Sequence, residues 1–122
     1  MSNAAASNAI VRFGVNPPAA EEGKPGDVIS GDPKTRAQNY FTDRTGQFFS
    51  GIWESSQGKW PVRYSESEFC AILEGKCVLT DAAGRAETFG KGDSFVIPSG
   101  FVGTWETVEP VKKLYAIFDA KS

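Results

Sequence analysis

Between Gln47 and Phe118 the sequence breaks into short runs of β-type residues, each closed by turn residues at a spacing of about eight to twelve positions. The runs are Gln47–Glu54, Trp60–Tyr64, Glu68–Glu74, Lys76–Asp81, Arg85–Phe89, Ser94–Ile97, Thr104–Val108 and Val111–Phe118. That spacing leaves no room for ordinary helices between the runs, and no apolar stripe of helical period runs for a useful length. It predicts an all-β, single-domain antiparallel barrel or sandwich. Asp81-Ala82-Ala83-Gly84 predicts one turn, and Gly90 and Gly92 flank another. Glu74-Gly75 predicts a two-residue hairpin turn, which would set position 70 opposite 79 and position 77 opposite 72.

Upstream of the runs the composition changes. Residues 1–9 are small and polar and read as a disordered tail. Residues 10–44, dense in Pro, Gly and charge, read as an irregular N-terminal arm, with Asp32-Pro33 predicted to cap one short helical turn through Gln38. Residues 45–122 are then the barrel domain.

Charge and composition narrow the partners. The 122 residues carry 13 Lys plus Arg against 15 Asp plus Glu, a net charge of −2, without a basic stripe, so no nucleic-acid partner is expected. The longest apolar runs, Phe69–Leu73 and Leu114–Phe118, fall far short of the roughly 20 residues a spanning helix needs, so no membrane partner is expected either. Met1–Ala9 has no apolar stretch of the secretory kind. Cys70 and Cys77 form no CxxC and read as small buried free thiols, which places the chain in the cytoplasm. The sequence contains no histidine. Imidazole-dependent triads, His-bound zinc and histidine pH switches are therefore excluded, leaving carboxylates, Lys, Tyr, Cys and backbone groups for any chemistry.

Two segments give this barrel a family resemblance. Gly92-Asp93-Ser94-Phe95-Val96-Ile97-Pro98-Ser99-Gly100-Phe101-Val102-Gly103-Thr104-Trp105-Glu106-Thr107 resembles the cupin superfamily motif G(x)5PxGxxH(x)3N, with its Gly, Pro and Gly in register. Glu68 through Gly75 resembles the E(x)6G end of the other cupin motif. Pro98 removes a backbone donor and ends a strand, while Gly100 permits the bend that follows. Gly51-Ile52-Trp53-Glu54 and Glu109-Pro110-Val111-Lys112-Lys113 add a resemblance to the single-domain, ureidoglycine-aminohydrolase-like branch. The resemblance implies an RmlC-like jelly roll, a pocket at the barrel mouth and a homodimer.

The motif register also fixes where metal ligands would stand. The three ligand histidines fall at Val62, Tyr64 and Gly103, and Glu68 alone remains of the set. No metal cofactor is expected, since one carboxylate does not supply the convergent ligands a transition metal needs. Tyr64, Glu68 and Cys70 are the only substitutes on the expected inward face.

The expected role is therefore metal-free binding of a small-molecule ligand, a polar organic acid, amide or sugar-derived metabolite. The alternatives are an enzyme using Glu68 as acid or base with Tyr64 as its hydrogen-bonding partner, and a structural or regulatory oligomer domain. Burial would raise the pKa of Glu68 and suit it to proton transfer. Trp105, Cys70, Lys113 and Tyr115 are the expected ligand-binding residues. Each has a plainer reading: Trp53, Trp60 and Trp105 as core, Glu68 paired with Arg63 or Lys113, and Lys112-Lys113 as a solvated pair. A desolvated Lys113 would have a lowered pKa and serve as nucleophile or anion anchor.

Overall fold

Strand formation follows side-chain alternation, and the computed structural model, which describes residues 8–121, contains nine β-strands and no α-helix. They are β1 (Glu21–Gly23), β2 (Ser30–Gly31), β3 (Thr35–Thr42), β4 (Phe48–Ser55), β5 (Gly58–Arg63), β6 (Ser67–Asp81), β7 (Ala86–Gly90), β8 (Ser94–Ile97) and β9 (Val102–Phe118). Every pairing is antiparallel, in the order β1-β3-β4-β9-β5-β2, with β6 joined to β9 and carrying β7 and β8. The all-β antiparallel architecture expected from the spacing is the one observed. Of the tail expected over residues 1–9, residues 1–7 lie outside the described residues.

β9 is the hub. Its first half pairs with β5 on one side, its second half with β4, and β6 lies along it almost from end to end. The change of partner falls at Glu109-Pro110, where proline offers no N–H to a ladder. Buried residues on β9 are Trp105, Thr107, Val111, Lys113 and Tyr115, so the period-2 phase holds through the bend. On β6 it does not: Glu68, Cys70 and Ile72 are buried before the bend, Cys77 and Leu79 after it. An irregular register between Ile72 and Cys77 shifts the inward set by one residue.

The hairpin predicted at Glu74-Gly75 is therefore corrected. Gly75 has φ +92°, the left-handed value a turn would use, but Glu74 does not share it, and the chain continues through a bulge. A Cβ at Gly75 would collide with the carbonyl oxygen of Pro110, so the two bends touch. Cys70 consequently faces Tyr115 and Cys77 faces Thr107, both across to β9. Both thiols are free and buried, as expected. The helical turn predicted through Gln38 is also corrected. Thr35–Thr42 is a strand, because its backbone pairs with β4 and the Ser56 hydroxyl takes up the Lys34 N–H at 2.8 Å.

Aspartates close the connections. The Asp81 carboxylate accepts the N–H groups of Ala83 and Arg85, each at 2.9 Å, in the turn expected there. Asp43 accepts those of Gln47 and Phe48 between β3 and β4. These backbone bonds hold both carboxyls below the ordinary value of 3.8. The core formed between the strands contains Trp60, Cys70, Ile72, Cys77, Leu79, Ile97, Trp105 and Val111.

Candidate functional site

A cavity of about 410 Å³ opens where β3, β4, β5, the start of β6 and both halves of β9 enclose space. Strand register determines its walls. Trp60 of β5 lies opposite Trp105 of β9, and Trp53 of β4 lies opposite Lys113. The three indoles form one cluster, with Trp53 set edge-on to Trp105 at 5.4 Å and Trp60 stacked on Trp105 at 6.5 Å. Tyr64 follows β5 and is clamped by the Pro98–Phe101 turn: its N–H donates to the Phe101 carbonyl at 2.9 Å and its carbonyl accepts from Gly100 at 2.7 Å. The second cupin-like segment thus positions a side chain of the first.

At the end of the cavity lies a buried ion pair. Lys113 Nζ donates to Glu68 Oε2 at 2.9 Å, and the two residues are 3% and 7% exposed. The same ammonium donates to Cys70 Sγ at 3.4 Å, and the Cys70 thiol donates to Glu68 Oε2 at 3.5 Å. The remaining sides are aromatic. Lys113 Nζ sits 4.7 Å from the centre of the Trp53 ring and 4.6 Å from that of Trp105, within the range of a cation–π contact. Carboxylate, sulfur and two indole faces enclose one positive charge.

Buried hydrogen bonds hold the wall that bears on it. Trp105 Nε1 donates to Thr107 Oγ1 at 2.9 Å, Thr107 to Ser55 Oγ at 3.1 Å, and Ser55 to the Ser56 carbonyl at 2.7 Å. Thr107 occupies the position of the motif's asparagine and fixes the indole plane that faces Lys113. Tyr115 donates to Asn39 Oδ1 at 2.9 Å, tying the cavity to β3.

Protonation follows from burial and charge. Burial is the largest single influence on Lys113 and pushes its pKa down, but the Glu68 charge and hydrogen bond, together with Cys70 and Tyr64, more than offset it and raise the ammonium above its ordinary 10.5. The lowered pKa expected for Lys113 is thus corrected: the side chain stays charged, as a cation and not a free amine. Burial pushes the Cys70 thiol up to about 12, Cys77 to about 11 and Tyr115 to about 12, and it raises Tyr64 as well. All four are neutral near pH 7.

Of the six residues singled out in the sequence, Tyr64, Glu68, Trp105, Lys113 and Tyr115 border the cavity. Cys70 lies behind Glu68 and Lys113, in contact with both. The solvated Lys112-Lys113 pair does not form, since Lys113 points inward from its strand. Trp53 and Trp60, read as core, also border the cavity, as do Thr35 and Ala37 of β3. Trp53 was legible from Lys113 only through the β4–β9 register.

A metal ion does not fit these residues. Val62 and Gly103 pair across β5 and β9 and neither borders the cavity, and a Cβ at Gly103 would collide with the Thr80 carbonyl oxygen. Tyr64 and Cys70 hold their protons, and an ammonium already occupies the carboxylate. Among the described residues no three His, Cys, Asp or Glu side chains converge as a metal set.

This is an antiparallel β-barrel protein with a tryptophan-lined cavity and a buried charge pair at its end. The model of the EutQ-like cupin domain matches residues 42–115, and the chain belongs to that family, with the jelly-roll fold the motifs implied. The Clostridium difficile EutQ protein has a similar structure, with a TM-score of 0.65 and 15% identity over 74% of this chain and 71% of its own. A DUF861 family protein of Pseudomonas syringae pv. tomato gives 0.71 at 25% identity, over 91% of this chain and 45% of that one. A DUF861 family protein of Thermotoga maritima is 38% identical over 52% of this chain and 73% of its own, with a TM-score of 0.51. No curated protein matches the chain.

Proposed function

We propose that the barrel binds a small polar metabolite, stacked on the indoles and hydrogen-bonded at the Glu68–Lys113 end. The observation that carries this reading is that all three tryptophans of the chain border one cavity together with its buried ion pair. Hydrophobic residues of similar volume often serve a core as well as a buried ion pair, so a pair retained beside open space favours a binding role. The two charges cancel, which favours a ligand with both donors and acceptors, an amide, ureido compound or sugar derivative, over a simple organic acid. The resemblance to the ureidoglycine-aminohydrolase-like branch supports the amide and ureido part of that class.

Because every tryptophan borders the cavity, intrinsic fluorescence reports on it directly. Titrating the protein with amides, ureido compounds, sugars and organic acids, with thermal shift in parallel, is expected to give a saturable change for at least one class. A flat response to all four would overturn the reading.

A second reading, catalysis, is favoured by one detail. Both hydrogen bonds at the Glu68 carboxylate among the described residues go to Oε2, so Oε1 is not engaged by them, and Glu68 and Tyr64 border the same cavity. A carboxylate oxygen and a phenol so placed suit proton transfer, isomerisation or hydrolysis with Glu68 as base. Turnover that survives Glu68→Gln would remove this reading. The cytoplasmic location is supported by the two free thiols, and the homodimer by the family resemblance and by the outward Phe69, Val96 and Phe118. Sedimentation at one subunit mass would count against the dimer.

A further inference from the structure

We propose that Lys113 is the barrel's own cation: its ammonium fills a cation-binding site built from Glu68, Cys70, Trp53 and Trp105, and a chain lacking that ammonium takes up a free primary alkylammonium in its place. This inference stands whether or not the cavity also binds a metabolite.

The surroundings of Nζ have the composition of a receptor for an organic cation. One carboxylate oxygen at 2.9 Å supplies the opposite charge, and one sulfur at 3.4 Å accepts a second N–H. Two indole faces at 4.6 and 4.7 Å supply the negative side of their quadrupoles, the arrangement used by aromatic cages for ammonium ligands. The cage is rigid before any ligand arrives. Trp105 is held through Thr107 and Ser55, Trp53 is packed edge-on against Trp105, and Cys70 is fully buried. An ammonium contributed by the chain costs no translational entropy on binding, so the site is permanently occupied.

A divalent metal would suit the place badly. It wants several hard or deprotonated donors, whereas this site offers one carboxylate, a protonated thiol and two π-faces. The positive charge beside Glu68 is instead supplied by the chain itself. The charge comes from β9 and not from solvent.

Truncating the side chain opens the place it fills. Lys113→Ala removes the three methylenes and ammonium beyond Cβ, and propylammonium restores those atoms. The expected result is a saturable rise in melting temperature of Lys113→Ala with propylammonium, about 4 °C or more at saturation, accompanied by a change in tryptophan fluorescence. Wild type should not respond, and neither should Lys113→Ala given 1-propanol, which lacks the charge. The double variant Glu68→Gln/Lys113→Ala should lose most of the response. If Lys113→Ala does not fold alone, its refolding yield with and without propylammonium gives the same answer: recovery supports the proposal and no recovery overturns it. It is also overturned by an equal response in the double variant, or by stabilisation with Zn²⁺ that exceeds that with propylammonium.

Discussion

Two of the barrel's hollows differ in kind, and the smaller of the pair is the more informative. The cavity of about 410 Å³ is walled by three indoles and ends on a buried charge pair. A hollow of about 600 Å³ lies between β6, β7 and β8, where Phe89 stacks on Phe95 at 3.8 Å above Leu79, Ile97 and Phe101. Its charges stay at the rim: Arg85 pairs with Asp81 at 3.1 Å, with the Arg85 side chain 85% exposed. The two ion pairs differ by 0.2 Å in length and almost wholly in surroundings. Screening by water makes the rim pair nearly dispensable, whereas the buried pair has no solvent to replace a lost partner. Volume alone does not mark a site; buried charge, fixed in place, does.

The largest expected effect comes from breaking the buried pair one side at a time. Glu68→Gln or Lys113→Met is expected to cost about 3–5 kcal/mol, measured by urea unfolding, because each strands a buried charge. Glu68→Gln/Lys113→Met should recover most of that loss. Additive losses in the double variant would mean that the two groups do not depend on one another.

A smaller effect separates the same regions by pH. Thiols whose folded pKa is raised favour the folded state fully below their unfolded value of 9.0, and that stability is lost as the pH rises through the folded values of about 11 and 12. Alkaline destabilisation is therefore expected to begin near pH 9. Cys70→Ala/Cys77→Ala should move the onset toward 10, where the tyrosine ordinary value lies. Melting temperatures followed from pH 7 upward check this, and an unmoved onset would show that the thiols are not the groups responsible. The smallest effect is expected at the other hollow. Arg85→Ala should leave the urea midpoint within error, and a clear loss there would erase the contrast between the two pairs.

Much of this was legible in the residues. The run spacing gave the all-β fold, the motif register led to Glu68, Tyr64 and Trp105, and alternation along the last strand led to Lys113 and Tyr115, all five of which border one cavity. What escaped was set by contacts between distant strands. Gly75 looks like a hairpin turn until β9 is seen pairing with β6 on both sides of it. Thr35–Thr42 carries Arg36, Gln38 and Asn39 and a register shift after Asn39, which mask its alternation, yet pairing with β4 makes it a strand. Adjacent lysines normally point to water. Lys113 turns inward because its strand phase also buries Val111 and Tyr115, and only Glu68, far away in the chain, makes that burial tolerable.

The claim at the centre is that a charged Lys113 ammonium rests between Glu68 and two indole faces, and NMR of that side chain addresses it most directly. Ring currents from Trp53 and Trp105 should move the Lys113 Hε resonances well upfield of the other lysines, with no titration as the pH passes 10.5. Lys113 resonances at ordinary positions, or titrating at or below 10.5 in the folded protein, would contradict the account.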